Sequence, residues 1–318
     1  EGAPAAYEGG LARVAAAAGL LAGAKEHGDD TAAVAGAVAT ATKTSCPEAA
    51  PYNEVLRRLG NLGRADAALS FYETLATRDA ATAEQLNRAL VRSVARGPTA
   101  DAMARLPPPA APEVVLLGRS NVGKSSLANA LLGRRALAPA SPVPGRTRRF
   151  CFYDVNEPGH RPHFRLVDVP GAGFAVDDVQ AALDGDLQRG MAEGKADSWR
   201  GLVHRYLDVR ESLKVVLQLV DARRCLEETL PAADAATLAT VAASDAITEG
   251  RASHVLVLTK ADKLKERDVA TARDRLEAAA AAAYAGAAAQ PVVVSTAATA
   301  RPPVGREEVW RAILEGLT

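Results

Sequence analysis

The chemistry of this chain is concentrated first in one short run. In "GRSNVGKSSLANALLG" (118–133), Gly118, Gly123, Lys124 and Ser125 fit the spacing G-x-x-x-x-G-K-[ST], behind the apolar stretch "EVVLL" and ahead of a helical pattern. The two glycines permit backbone conformations in which successive N–H groups face a phosphate, and the following helix adds its positive end. Lys124 is expected to reach the β- and γ-phosphates, and the Ser125 hydroxyl to ligate Mg²⁺. The cradle then comprises Gly118, Arg119, Ser120, Asn121, Val122, Gly123, Lys124, Ser125 and Ser126.

Further on, "LVDVPGAG" places Asp168 at the end of an apolar strand and Gly171 three residues later. A carboxylate there suits Mg²⁺, and the Gly171 N–H suits a γ-phosphate whose presence the loop would sense. "VLVLTKAD" supplies Thr259, Lys260 and Asp262 after another apolar strand. An aspartate at this point can accept from guanine N1–H and its exocyclic amine, whereas adenine offers no matching donor pair. The Lys260 stem is expected to cross the base, and Ser295 and Thr296 of "VVVSTA" to support its edge. Thr147, in "SPVPGRTRRF", is the expected third Mg²⁺ ligand beside Ser125 and Asp168. The set reads as GTP or GDP with Mg²⁺.

Parallel strands must carry these loops. After "LPPPAAP" (106–112), read as a stiff linker, short Val/Leu-rich runs alternate with helical patterns, as in a βα-built sheet. Strands are expected at Glu113–Leu117, Arg149–Val155, Phe164–Val169, Lys214–Val220, His254–Thr259 and Val292–Ser295. Helices are expected at Ser125–Leu132, Ser198–Glu211 and Leu276–Ala289, and around Val309–Leu317. Residues 1–105 show helical periodicity and almost no strand signal. The expected domains are therefore an all-α region at 1–105, the linker, and an α/β domain at 113–318.

Bulk composition excludes several classes. Lys plus Arg equals Asp plus Glu, at 38 each, so no global field draws the chain to nucleic acid or membrane. Cys46, Cys151 and Cys225 form neither a disulfide framework nor a zinc site. The five histidines lack ligand spacing, and no apolar run reaches bilayer length, so membrane insertion is not expected. The chain opens on Glu1 rather than methionine, and a preceding segment, such as a removed targeting peptide, is expected.

Several longer stretches carry a more specific signal: "GRSNVGKSSLANALLGRR", "PGRTRRFCFYDVN", "FRLVDVPGAGFA", "SWRGLVHRYLDVRESLKVVLQLVDARR", "VLTKADKL" and "VVVSTA". In order and wording, Pro112–Thr318 resembles the EngB-type (YihA/YsxC) ribosome-biogenesis GTPases. That resemblance implies a Ras-like α/β P-loop domain, with helices on both faces of a mostly parallel sheet. It further implies guanine-nucleotide and Mg²⁺ binding and a role in late assembly of the large ribosomal subunit. Eukaryotic members of such families serve mitochondria or plastids, so the implied location is an organellar matrix or stroma, with pre-ribosomal particles, rRNA and other assembly proteins as partners. Asn121 matches a cradle asparagine that helps ligate K⁺ in related potassium-stimulated GTPases, which makes Lys124, Thr147, Gly171 and Asn121 the catalytic candidates.

Three departures qualify the resemblance. Ala172 stands where many GTPases carry a water-orienting glutamine, so hydrolysis is expected to be slow without a partner. The segment Val176–Asp197 is longer than the family's, and "ARRCLEETLPAADAATLAT" lacks the family's wording. From Arg134 to Arg165 seven arginines (134, 135, 146, 148, 149, 161, 165) face two acids, a local excess suited to an RNA backbone.

Before the linker, "PYNEVLRRLGNLGRADAALSFYETLATRD" (51–79) resembles a pentatricopeptide repeat, with a weaker copy from "QLNRALVRSVARG". Asn53 and Asn87 then occupy base-reading positions, although a helical hairpin used for protein docking is an equal alternative. The leading reading is an organellar GTPase that docks on pre-ribosomal particles. A non-enzymatic G-domain subunit of an organellar ribosome, and an RNA-binding protein driven by its repeats, are the alternatives.

Overall fold

The computed structural model describes residues 14, 16–18, 31–43, 49–62, 64, 67–68, 70–71, 87–88, 90–100, 103–134, 137–138, 149–160, 162–169, 199–227, 229–287, 289–298 and 304–317. They fall into two compact units, Glu1–Val94 with Val155–His163, and Ala95–Asp154 with Phe164–Thr318.

In the first unit, α1 (Thr31–Lys43) and α2 (Ala49–Asn61) are helices. The apolar residues of α2 recur at helical spacing, and Tyr52, Val55, Leu56 and Leu59 are buried. The Tyr52 ring lies 6.1 Å from that of Phe71. Asn156 is the polar hub of this unit. Its side-chain oxygen accepts from the Arg92 and Ser93 N–H groups at 2.8 and 3.2 Å, and its amide donates to the Leu90 and Pro162 carbonyls at 2.8 and 2.6 Å. Its φ of 60° is a left-handed conformation that asparagine tolerates better than most residues.

The chain then supplies β1 (Val94–Ala100), β2 (Glu113–Gly118), α3 (Lys124–Leu132), β3 (Phe150–Val155), β4 (Phe164–Asp168), α4 (Trp199–Val209) and β5 (Leu213–Asp221). There follow α5 (Ala232–Ala242), the short α6 (Asp245–Thr248), β6 (Ser253–Thr259), α7 (Glu266–Ala283), β7 (Val292–Ser295) and α8 (Arg306–Leu317). One seven-stranded sheet has the order β1-β3-β4-β2-β5-β6-β7. β2 runs parallel to both β4 and β5, β5 to β6, and β6 to β7.

Helices cover both faces, which is why β2 and β6 read as unbroken apolar runs. On one face, Tyr206 and Leu207 of α4 pack with Val115, Phe152, Val167 and Val216, while Ala272, Leu276 and Ala280 of α7 pack with Leu256 and Leu258. On the other, α8 approaches so closely that a Cβ at Gly316 would meet the Val215 side chain at 2.5 Å. Val215 and Val216 thus serve opposite layers, as strand alternation requires. The fold is the expected Ras-like α/β P-loop architecture. Because β2 sits between β4 and β5, the strand order reverses beside it, and ligands in such sheets bind at the carboxyl ends around that point.

Three expectations are corrected. Val94–Ala100 is a strand at the sheet edge, not part of an all-helical 1–105, and it interrupts the second repeat copy. Gly97 and Pro98 explain this, since both disfavour a helix interior and proline is tolerated on an edge strand. "LPPPAAP" is not a spacer between domains but packs within the α/β unit, where the Pro107 and Pro108 carbonyls accept from Arg210 and Arg165. The alanine-rich helix begins at Glu266, ten positions before the expected Leu276, and stops at Ala283, ahead of the left-handed Gly286. Finally, α5 supplies a helix between β5 and β6, for which the sequence reading set no bounds.

Candidate functional site

Five strands end at one edge, four of them on polar residues: β2 ends at Gly118, β4 at Asp168, β5 at Asp221, β6 at Thr259 and β7 at Ser295. Gly118 (φ 137°) and Gly123 (φ 116°) occupy conformations that L side chains rarely adopt. A Cβ at Gly118 would also approach the Leu219 carbonyl to 2.5 Å. The glycines of the motif are thus dictated by backbone geometry. Gly123 is the N-cap of α3, so the N–H groups at the start of that helix face the loop.

Lys124 is buried, and its Nζ donates to the Gly118 and Arg119 carbonyls, both at 2.9 Å. Burial lowers its pKa to about 8, against the opposing pull of Asp168. Asp168 is 1 % exposed; its Oδ2 accepts from the Ser125 hydroxyl at 2.9 Å, while its Oδ1 has no hydrogen-bond partner among the described residues. Burial raises the Asp168 pKa, with Lys124 and Ser125 opposing. A buried ammonium and a buried carboxylate, each pushed toward neutrality, are complemented by an anion over the first and a cation at the second. The unpartnered Oδ1 beside a hydroxyl is an all-oxygen donor set, and it fits Mg²⁺.

The segment after β6 is fastened to the cradle. Thr259 donates from Oγ1 to the Val122 carbonyl at 2.7 Å and the Val220 carbonyl at 3.2 Å. Lys260, itself left-handed at φ 60°, donates from Nζ to the Asn121 carbonyl at 2.7 Å and to Asp221 Oδ2 at 2.9 Å. Asp262 lies in the 3-10 turn Ala261–Lys263, with its carboxylate 2.8 Å from Lys263 Nζ. The loop after β7 is held to this one: the Thr296 N–H donates to the Leu258 carbonyl, and the Ala261 N–H to the Thr296 carbonyl. Gly305 closes that loop from behind, since any Cβ there would strike the Ser295 carbonyl at 1.9 Å.

The structure therefore brings together Gly118–Ser126, Asp168, Thr259, Lys260, Asp262, Ser295 and Thr296. Thr147, Gly171, Arg135, Arg146 and Arg148 lie outside the described residues. Thr296 is 1 % exposed and donates to the Val304 carbonyl, which makes it a loop brace; the buried Ser295 hydroxyl has no hydrogen-bond partner among the described residues. Among the RNA candidates, Arg134 and Arg149 are exposed, and Asn53 lies within α2. Asn87 is 2 % exposed, which withdraws its side chain from base contact. Arg165, counted in the arginine excess, is likewise buried, with its guanidinium on Asp154 at 2.6 Å and on Pro108.

Sequence reasoning passed over Asp221 as a site residue. Burial opposes ionisation of its carboxyl, but hydrogen bonds from Arg223 and Lys260 outweigh this and lower its pKa to about 2. The available signal was an apolar strand ending in aspartate, the same pattern that singled out Asp168.

The family model described as "50S ribosome-binding GTPase" matches residues 113–260. The chain is 40% identical over 173 residues to the "Probable GTP-binding protein EngB" of one Rhodopseudomonas palustris strain, covering 54% of this chain and 68% of that protein. It is 36% identical over 209 residues to the EngB of a second strain, covering 66% and 82%. The EngB of Granulibacter bethesdensis is 36% identical over 214 residues, covering 67% and 80%. With the cradle, the Asp168–Ser125 pair and the fastened "TKAD" segment in one place, the chain belongs to the EngB family of GTP-binding proteins.

Proposed function

We propose that this chain binds GTP and GDP with Mg²⁺, hydrolyses GTP slowly, and acts as a GTP-gated assembly factor for the large subunit of an organellar ribosome. The observation that carries the nucleotide reading is the fastening of Thr259 and Lys260 to the Val122 and Asn121 carbonyls. It sets the turn that bears Asp262 at a fixed place relative to the phosphate loop, as selection of one purine requires.

In this reading the α3 N-terminus and the loop N–H groups hold the phosphates, with Lys124 turning from the loop carbonyls to the β- and γ-oxygens. Ser125 and Asp168 would hold Mg²⁺, with Thr147 as the further ligand expected from sequence; the ion supplies charge compensation for the triphosphate. Asp262 accepts from the guanine edge while the Lys260 stem covers the base. Asn121 would assist a K⁺ ion beside the phosphates, so hydrolysis should be faster in K⁺ than in Na⁺, and Asn121→Ala should remove that difference. Ala172 offers no group to orient water, which is why turnover is expected to depend on a partner.

The ribosomal part of the proposal rests on kinship with EngB proteins and on the exposed Arg134 and Arg149. The organellar part rests on the resemblance of the helical region to pentatricopeptide repeats, with those helices serving RNA or protein docking. Multiple-turnover GTP hydrolysis, measured with and without purified large ribosomal subunits, tests it. Stimulation by the large subunit but not the small one is the expected result. GTP bound without turnover under either condition would favour the alternative of a non-enzymatic subunit.

A further inference from the structure

We propose that Asp234, at the start of α5, is a positioning residue for nucleotide retention: it holds the Arg119 guanidinium and, through it, the first peptide of the cradle. The inference rests on the reading of the cradle as a guanine-nucleotide site, and it is independent of any ribosomal role.

The cradle is pinned from two sides by contacts already described. Lys124 holds the Gly118 and Arg119 carbonyls from within, and Thr259 and Lys260 hold the Val122 and Asn121 carbonyls from β6. On the α5 side, Arg119 Nη1 lies 3.9 Å from Asp234 Oδ2, a separation suited to an ion pair rather than a hydrogen bond. Asp234 is 2 % exposed, and among the described residues no hydrogen bond reaches its Oδ2. Its backbone is fixed, since its N–H donates to the Pro231 carbonyl at 2.8 Å and its carbonyl accepts from Gln218 Nε2 at 3.2 Å. A buried carboxylate on an anchored helix start, aimed at the one loop residue with a long cationic side chain, is a tether point.

Both residues line a polar recess of about 210 Å³ beside the loop, together with Ser120, Arg223, Arg224 and Lys260. Arg223 and Lys260 are committed to Asp221, which leaves Arg119 and Arg224 as the cations that Asp234 faces. Burial raises the Asp234 carboxyl pKa to about 6; Arg119 and Arg224 oppose the shift, while Asp221 and Glu227 add to it. The tether is therefore charged above about pH 6 and weakens as the pH falls through that value. The sign for stability is opposite. A carboxyl whose folded pKa is raised destabilises the fold where it is ionised, so removing its charge does not lower the melting temperature.

That opposition separates positioning from mere structure. Release of a fluorescent N-methylanthraniloyl-GDP is measured by stopped flow on the full chain between pH 5 and 8, beside melting curves. Wild-type release should quicken as pH falls through about 6. Asp234→Asn should release about five- to tenfold faster at pH 8, with a flatter pH profile and an undiminished melting temperature. Arg119→Gln should behave alike, and the double variant should be no faster than either single one. Wild-type release from Asp234→Asn at pH 8, additive effects in the double variant, or an acceleration matched by a fall in melting temperature overturns the proposal. Failure of the wild type to bind the probe overturns the nucleotide reading with it.

Discussion

The two ends of the sheet each bury a carboxylate, and they treat it in opposite ways. At the amino end, Glu113 is 0 % exposed and accepts from the Tyr206 hydroxyl at 2.6 Å and from Arg210 Nε and Nη2 at 2.8 and 2.5 Å, with Arg165 at 3.9 Å. At the carboxyl end, Asp168 is as deeply buried, yet among the described residues it has one hydroxyl partner and an oxygen with none. Desolvation is similar for both; compensation is not. Of these two carboxylates, the one whose hydrogen bonds are complete belongs to the fold, and the one left incomplete is held for a ligand. The same contrast separates the cations. Arg210 is locked to Glu113 and the Pro107 carbonyl, whereas Lys124 rests on two neutral carbonyls that a phosphate can outbid.

Substitutions at the two ends should accordingly fail in different assays. The largest effect is expected for Lys124→Ala, which removes the buried cation facing the phosphates. Truncating one member of a buried charged pair costs roughly 4 kcal/mol, so GDP affinity by calorimetry should fall by about three orders of magnitude. The melting temperature should change little, because the lysine's charged form is already disfavoured by burial. Next comes Glu113→Ala, which strands Arg210 and the Tyr206 hydroxyl. Breaking a buried pair on one side destabilises by about 3–5 kcal/mol, or about 10 °C for a unit of this size. Nucleotide affinity of the folded fraction should be preserved. A Glu113 variant that melts normally but loses GDP would erase the distinction between the ends.

The two ends also differed in how far the sequence disclosed them. The cradle was legible because phosphate binding constrains adjacent residues: Gly118 and Gly123 are dictated by φ, and Lys124 and Ser125 follow directly. Six of the sheet strands were legible from Val/Leu runs bounded by polar turns. β1 was not, since "VARGPTA" is largely exposed and carries Gly97 and Pro98; its strand identity comes from its place at the sheet edge. The Glu113 cluster was hidden because its partners Arg165, Tyr206 and Arg210 lie 52 to 97 positions from Glu113. Asp234 was hidden because Arg119 lies far from it in the chain, and because the alanines around it give α5 little amphipathic contrast. Arg165 misled in the other direction: counted as surface charge, it is spent on the fold.

Asp168→Asn sharpens the comparison at moderate magnitude. The folded pKa of Asp168 lies above its ordinary value, so between the two values the folded state binds the extra proton, and ionisation at neutral pH weighs against folding. The isosteric amide removes that burden and can still meet the Ser125 hydroxyl. The expected result is a melting temperature equal to or above the wild type, together with loss of the gain in GDP affinity that Mg²⁺ confers. Titrations with Mg²⁺ and with a chelator would show it. A variant that melts lower while keeping its Mg²⁺ response would place Asp168 with Glu113 among the structural carboxylates.

The smallest effect is expected at Asp221, which stands between the two cases. It lies at the ligand end of the sheet but is fully engaged, by Arg223 at 2.7 Å and Lys260 at 2.9 Å. Its pKa of about 2 lies below the ordinary aspartate value, so its contribution is present above about pH 4 and is lost as pH falls toward 2. Arg223 is half exposed, so solvent screening limits the contribution of this pair to about 1 kcal/mol. Asp221→Asn should therefore lower stability by that order at pH 7 and by less at pH 3, as read from denaturant midpoints. It should also loosen Lys260, whose remaining partner is the Asn121 carbonyl. If engagement rather than location decides whether a carboxylate serves the fold, the loss in stability will exceed the loss in GDP affinity. A larger loss in affinity would show that at this edge even a satisfied carboxylate works for the nucleotide.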